Sequence, residues 1–130
     1  MKTVENYSAL IGRLLISVLF LMAGLSKISG YVSTQGYMEA MGVSGSLLPL
    51  VIILEVIGAI TIIVGFKTRF TALLLAGFSV LSACIFHADF TDQMQTILFM
   101  KNIAISGGFL LLIANGAGTF SVDAVLARRK

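Results

Sequence analysis

Charge is what this sequence has least of. Only 12% of its 130 residues are Asp, Glu, Lys or Arg, where soluble domains carry about 25%, while 58% are hydrophobic and the mean hydropathy is +1.01. That balance excludes a water-soluble domain and points to one membrane domain over residues 1–130, with the lipid bilayer as its first partner. Cysteine is nearly absent as well: Cys84 stands alone, which excludes an internal disulfide and a two-cysteine exchange mechanism and leaves a small packing residue. One histidine and scattered acids offer no metal-ligand spacing, so no metal is assigned. Nine Lys and Arg give a net charge of +3, but no basic run is interleaved with aromatics, and no nucleic acid partner is expected. Met1 to Tyr7 mixes Lys2 with Glu5, and the apolar segment behind it is followed by three more, which argues against a cleaved signal peptide.

What is present is four long apolar runs. Spans fall at about 8–26, 47–65, 70–86 and 97–115, each near the roughly 20 residues that a bilayer core requires. The fold class expected is an all-α membrane protein, a four-transmembrane-helix bundle with short interfacial helices. With four spans both termini share a side with the turn Phe66 to Arg69. That side collects Lys2, Lys67, Arg69, Arg128, Arg129 and Lys130, against Lys27 and Lys101 on the other. The positive-inside rule then puts both termini in the cytoplasm. Arg13, near the inner end of the first span, is expected to snorkel to head groups.

The first outer connection, Lys27 to Ser46, is long for a hairpin. Thr34 is expected to cap a short helix through Tyr37, Met38, Glu39 and Met41 that stops at Gly42. Tyr31, Tyr37, Met38 and Met41 would lie at the membrane interface, either as an anchor or as a lid over an outer cavity. In the second outer connection, Asp89 and Asp92 read as solvated loop charges. Past the last span, Gly116 to Gly118 breaks the helix, Ser121 is placed to cap a tail helix, and the basic tail acts as an orientation anchor.

Small and polar residues recur at helical spacing in every span. The sets are Arg13, Ser17, Gly24 and Lys27; Glu55, Gly58 and Gly65; Ala72, Ala76, Ser79, Ala83 and His87; and Lys101, Ile105, Gly108, Leu112 and Asn115. Such faces let membrane helices approach closely, so they are expected to point inward. Glu55 is the outlier, an acid in the middle of the run from Pro49 to Gly65, where a charge costs about 2.5–3.5 kcal/mol on insertion scales. Counting about 1.5 Å per residue from the outer face puts Glu55 and Lys101 at one depth, where they would pair, with Asn102 on a spare lone pair and His87 and Lys27 at the rim. The candidate polar cluster is therefore Glu55, Lys101, Asn102, His87 and Lys27. It is open to three readings: a buried pair that fixes helix register, a quinone-type redox site in which Glu55 exchanges protons, or a proton-coupled path for a small solute.

The segments Gly12-Arg13-Leu14-Leu15, Gly24-Leu25-Ser26-Lys27-Ile28, Tyr37 through Gly42, Leu54-Glu55, Gly65-Phe66 with Thr68-Arg69, Phe86-His87, and Phe99-Met100-Lys101-Asn102 leading to Ser106-Gly107-Gly108 follow one another in a specific order. In that order the chain resembles the DoxX family, and its enterobacterial inner-membrane members of similar length in particular. The resemblance implies a bacterial inner-membrane protein. It also implies kinship with subunits of a thiosulfate:quinone oxidoreductase and with membrane assemblies that meet oxidative stress. No cysteine pair, haem-attachment motif or nucleotide fingerprint accompanies it. The expectation is thus a membrane subunit in quinone-linked redox or stress metabolism, enzymatic at most as part of an oxidoreductase assembly, with a quinone as cofactor and a redox partner protein or a homo-oligomer as partner. A non-enzymatic scaffold or a small-solute permeability factor is the alternative.

Overall fold

The computed structural model describes residues 1–129; Lys130, expected in the basic tail, lies outside them. The helices are α1 (Lys2–Ser29), α2 (Tyr31–Ala40), α3 (Leu48–Val64), α4 (Thr68–Phe86), α5 (Gln93–Asn115) and α6 (Val122–Arg128), with a 3₁₀ turn at Gly45–Leu47 leading into α3. Among the described residues α1, α3 with its 3₁₀ turn, α4 and α5 are long and apolar enough to cross a membrane. The fold is the all-α membrane bundle. Two boundaries differ from expectation for local reasons. α5 starts at Gln93 because the Asp92 carboxylate accepts the Met94 N–H at 3.0 Å, which makes Asp92 a helix cap rather than a bare loop charge. α2 starts at Tyr31 rather than after Thr34, whose hydroxyl lies inside the helix and donates back to the Gly30 carbonyl at 2.8 Å. Gly42, at φ +83°, stops that helix just past its last residue, as anticipated.

α1 packs along α3, α4 lies against both α3 and α5, and α1 meets α5 through side chains. Phe20 and Phe109 meet there with ring centroids 5.5 Å apart, over a core that includes Ala59, Ile62, Ala72, Leu75 and Ala76. Large aliphatic side chains such as Leu15, Leu50, Leu81 and Leu111 are exposed, which is the arrangement lipid requires. The inward stripes of α1, α3 and α4 are buried apart from the outermost Lys27 and His87, which are half-buried. The α5 stripe is rotated from its expected setting. Ser106 and Phe109 are its buried residues, whereas Lys101 and Asn115 are exposed. The Phe109 ring fills the bundle centre, and the helix turns to seat it.

The end of the bundle that holds both termini corrects the expectation for Arg13. This residue is 1% exposed and does not snorkel. It shares the buried face of α1 with Ser17, Phe20 and Gly24, so its guanidinium turns toward α3. Nη1 donates to the carbonyls of Ile62 and Ile63 at 3.0 and 3.1 Å in the last turn of α3, where Ile62 also accepts the Gly65 N–H, and Nη2 donates to the carbonyl of Phe120. The tail is fixed from the other side by Asp123. Its N–H donates to the Gly65 carbonyl at 2.8 Å, and its carboxylate accepts the N–H groups of Lys67 and Thr68 at 2.7 and 2.9 Å. Partial burial pushes the Asp123 carboxyl up, but the backbone donors at the start of α4 and the nearby Arg13 charge outweigh it and hold the group below the usual carboxylate range. Ser121 caps α6 through the Ala124 N–H at 3.1 Å.

Candidate functional site: a polar cavity in the half of the bundle opposite the termini

Opposite the tail, the four spanning helices and α2 surround a cavity of about 250 Å³. Lys27, Glu55, His87, Lys101 and Asn102 all line it. The pairing inside it differs from the one anticipated. Glu55, with its side chain 3% exposed, takes Lys27 rather than Lys101, at 2.8 Å between Nζ and Oε1, and this is the one ion pair among the described residues. The cause is the spacing of the helices. Gly24 lets α1 settle onto α3 beside Glu55, since a Cβ at Gly24 would lie 3.2 Å from the Glu55 Cβ. Lys27 follows Gly24 by one turn and reaches the carboxylate. Lys101 belongs to α5, which packs on α4 rather than on α3. It lines the cavity from the far side, and Asn102 sits half-buried beside it.

The rim is built by α2 and the ends of α4 and α5. His87 Nδ1 and Gln95 Oε1 are 2.8 Å apart, so the short connection between α4 and α5 carries a fixed imidazole. Thr34, Tyr37 and the buried Met38 line the cavity from α2, and Tyr37 stacks on Phe86 with centroids 5.4 Å apart and ring planes 24° apart. α2 thus lies over the bundle mouth. The walls between rim and floor are Phe20, Phe78 and Phe86, together with Ser82 and Ile105. Of these walls only Ile105 falls in the small- and polar-residue stripes. Phe78, Ser82 and Phe86 form a second stripe on α4 at steps of four, adjacent to the small-residue stripe, and that spacing is their signal in the sequence.

Chemically, the floor holds an ammonium and a carboxylate in contact, the far wall a second ammonium on Lys101, the rim an imidazole, and the surface between them is aromatic. A flat apolar ring bearing hydrogen-bond acceptors suits such a space. The buried pair also has a structural consequence, because removing one partner of such a pair typically costs about 3–5 kcal/mol.

The DoxX family model matches residues 8–88 of this chain. The inner membrane protein YqjF of Escherichia coli (strain K12) is 50% identical over 129 residues, covering 99% of this chain and 99% of that protein. The inner membrane protein YphA of the same organism is 36% identical over 121 residues, covering 88% of this chain and 86% of its own length. No solved structure matches. The matched span includes Lys27, Glu55 and His87, whereas Lys101 and Asn102 lie beyond it.

Proposed function

The chain belongs to the DoxX family of polytopic inner-membrane proteins, and from that premise we propose that it is a quinone-binding membrane subunit serving redox or stress metabolism. The ring site is the outer cavity, both termini lie in the cytoplasm, and the cavity opens toward the periplasm. The observation that carries this reading is the Lys27–Glu55 pair at the floor of an aromatic-walled space of about 250 Å³, room for one substituted ring and no more. A quinone supplies two-electron, two-proton carrier chemistry when bound. Phe20, Phe78 and Phe86 would hold the ring, Lys27 and Lys101 would donate to its two carbonyl oxygens, and Glu55 would hold or release a proton beside Lys27 Nζ. Electrons come from a partner protein, since the chain carries no cysteine pair to deliver them.

A scaffold role is the second reading, favoured by the directness of the Lys27–Glu55 contact. A buried pair holding α1 and α3 in register needs no ligand. Organic extraction of the gently purified protein, with mass spectrometry for quinones, separates the two against an unrelated membrane protein in matched lipid. Near-stoichiometric quinone, lost in Lys101→Met while that variant still purifies as folded protein, is the expected result. Lys101 is exposed and unpaired, so its replacement spares the fold. Quinone at the control level in the wild type would leave the scaffold reading.

A further inference from the structure

Neighbouring spans do not pack equally closely around the bundle. α1 on α3, α3 on α4 and α4 on α5 bring their backbones together, whereas α1 and α5, the pair that closes the bundle, approach each other least. They meet through side chains: Phe20 against Phe109, and Ile16 over Gly108, where an added Cβ would stand 3.1 Å from Ile16 Cδ1. The loose seam borders the polar cavity. Of the residues that line the cavity, only Leu19, Tyr37 and Lys101 are exposed. Tyr37 is stacked on Phe86, and Met38 is buried next to it, so the end of the cavity under α2 is covered. Leu19 and Lys101 belong to α1 and α5. With the half-buried Ala23 and Ile105 they edge the cavity along the seam, on the side that meets lipid.

A second space continues the seam toward the termini. It is a groove of about 700 Å³ between the same two helices, lined in part by Gly12, Ile16, Gly108, Leu111 and Leu112. Ile16 and Gly108 line the groove, and Leu19 and Ile105, three residues away on each helix, line the cavity. About 4.5 Å of helix rise therefore separates the two spaces. Beside Gly12 the groove is open, since an added Cβ would meet nothing within 4 Å.

We infer that the cavity is loaded from the bilayer through the α1–α5 seam by a quinone with a long apolar tail, its ring in the cavity and its tail along the groove, which rests on the quinone reading of the cavity and adds the route and the tail. A cavity of about 250 Å³ has no room for a tail beside the ring, and the seam is a way out that stays in hydrocarbon. An apolar tail gains little by leaving lipid for a groove, so the groove guides and the polar groups hold. Lys101, at the edge of the seam, is the first donor that an entering ring carbonyl meets. A helix from a second copy laid along the seam would shut this entrance, and an acyl chain without a ring has nothing to offer the cavity's donors.

Photolabelling of the full chain in nanodiscs tests the route. The probe is a benzoquinone on an isoprenyl tail that ends in a diazirine. Peptide mass spectrometry maps its insertions with and without excess unlabelled long-tailed quinone, which cancels chance contacts in lipid. The insertions that the competitor removes should fall on α1 and α5, at Gly12, Ile16, Leu111 and Leu112. Gly12→Leu places a side chain in open space, and should melt like the wild type while losing those insertions. Competed insertions on α2, α3 or α4 instead would overturn the seam route and leave the ring site standing. Competed groove insertions that persist unchanged in Gly12→Leu would overturn the placement of the tail, and no competed insertion anywhere would overturn the route and the quinone reading together.

Discussion

At Gly24 an added Cβ would stand 2.6 Å from Val56 Cγ2 and 3.3 Å from the Val56 backbone nitrogen, so α1 and α3 touch there at a distance that admits only a hydrogen. Gly24→Leu should push the two helices apart, lowering stability by about 1–3 kcal/mol and separating Lys27 from Glu55. Thermal unfolding in detergent checks the first effect. The same contact explains why the sequence suggested the wrong lysine. Depth along the bilayer can be counted from residue numbers, and it put Glu55 level with Lys101. Which helix neighbours which depends on packing, and α1, not α5, lies beside α3. Arg13 was misjudged for a related reason. Its position near a membrane face suggested snorkelling, while its true partners are carbonyls of residues 62, 63 and 120, far away in the chain. Single residues were legible where one helix determines their setting, as with Ser121 and Gly42, and illegible where a distant backbone atom does.

Among the helices, α6 is the shortest, and it is tied to the bundle by hydrogen bonds rather than by packing. Asp123 joins it to the turn before α4, where the chain passes through Lys67 at φ +47°, a left-handed conformation unusual for lysine. The clamp holds that turn from outside. Asp123→Asn keeps one acceptor oxygen but loses the second and the charge, and should lower stability by about 1 kcal/mol, the usual net worth of one hydrogen bond. The pH dependence follows from the depressed carboxyl. Stability from the clamp is full above the unfolded carboxylate value, about 3.9, and is lost as pH falls through the lower folded value. Melting curves of the wild type and Asp123→Asn should therefore converge in acid and separate near neutrality. The spans and their inward faces were readable from hydrophobic runs and small-residue spacing on α1, α3 and α4. α5 escaped because the bulk of Phe109 set its rotation, and bulk carries no periodic signal.

For the whole molecule, the start of α1, the turn between α3 and α4, and α6 gather at one end: Thr119 donates to Asn6 at 3.1 Å, Tyr7 and Phe120 approach to 5.4 Å between ring centroids, and Asp123 reaches the turn. The proposed orientation puts that end in the cytoplasm, in keeping with its Lys2, Lys67, Arg69, Arg128 and Arg129. A reporter fused after Lys130 should be active in its cytoplasmic form and silent in its periplasmic form; the reverse pattern would turn the outer cavity toward the cytoplasm. The two ends of the bundle are also made at different times. Lys27 can find Glu55 as soon as α3 has entered the bilayer, but the Arg13 guanidinium waits for the carbonyl of Phe120 and the charge of Asp123. A chain cut short before Phe120 would therefore keep the two α3 acceptors of Arg13 Nη1 and leave Nη2 without its own. The last stretch of chain to be made is thus the one that latches that end of the bundle shut.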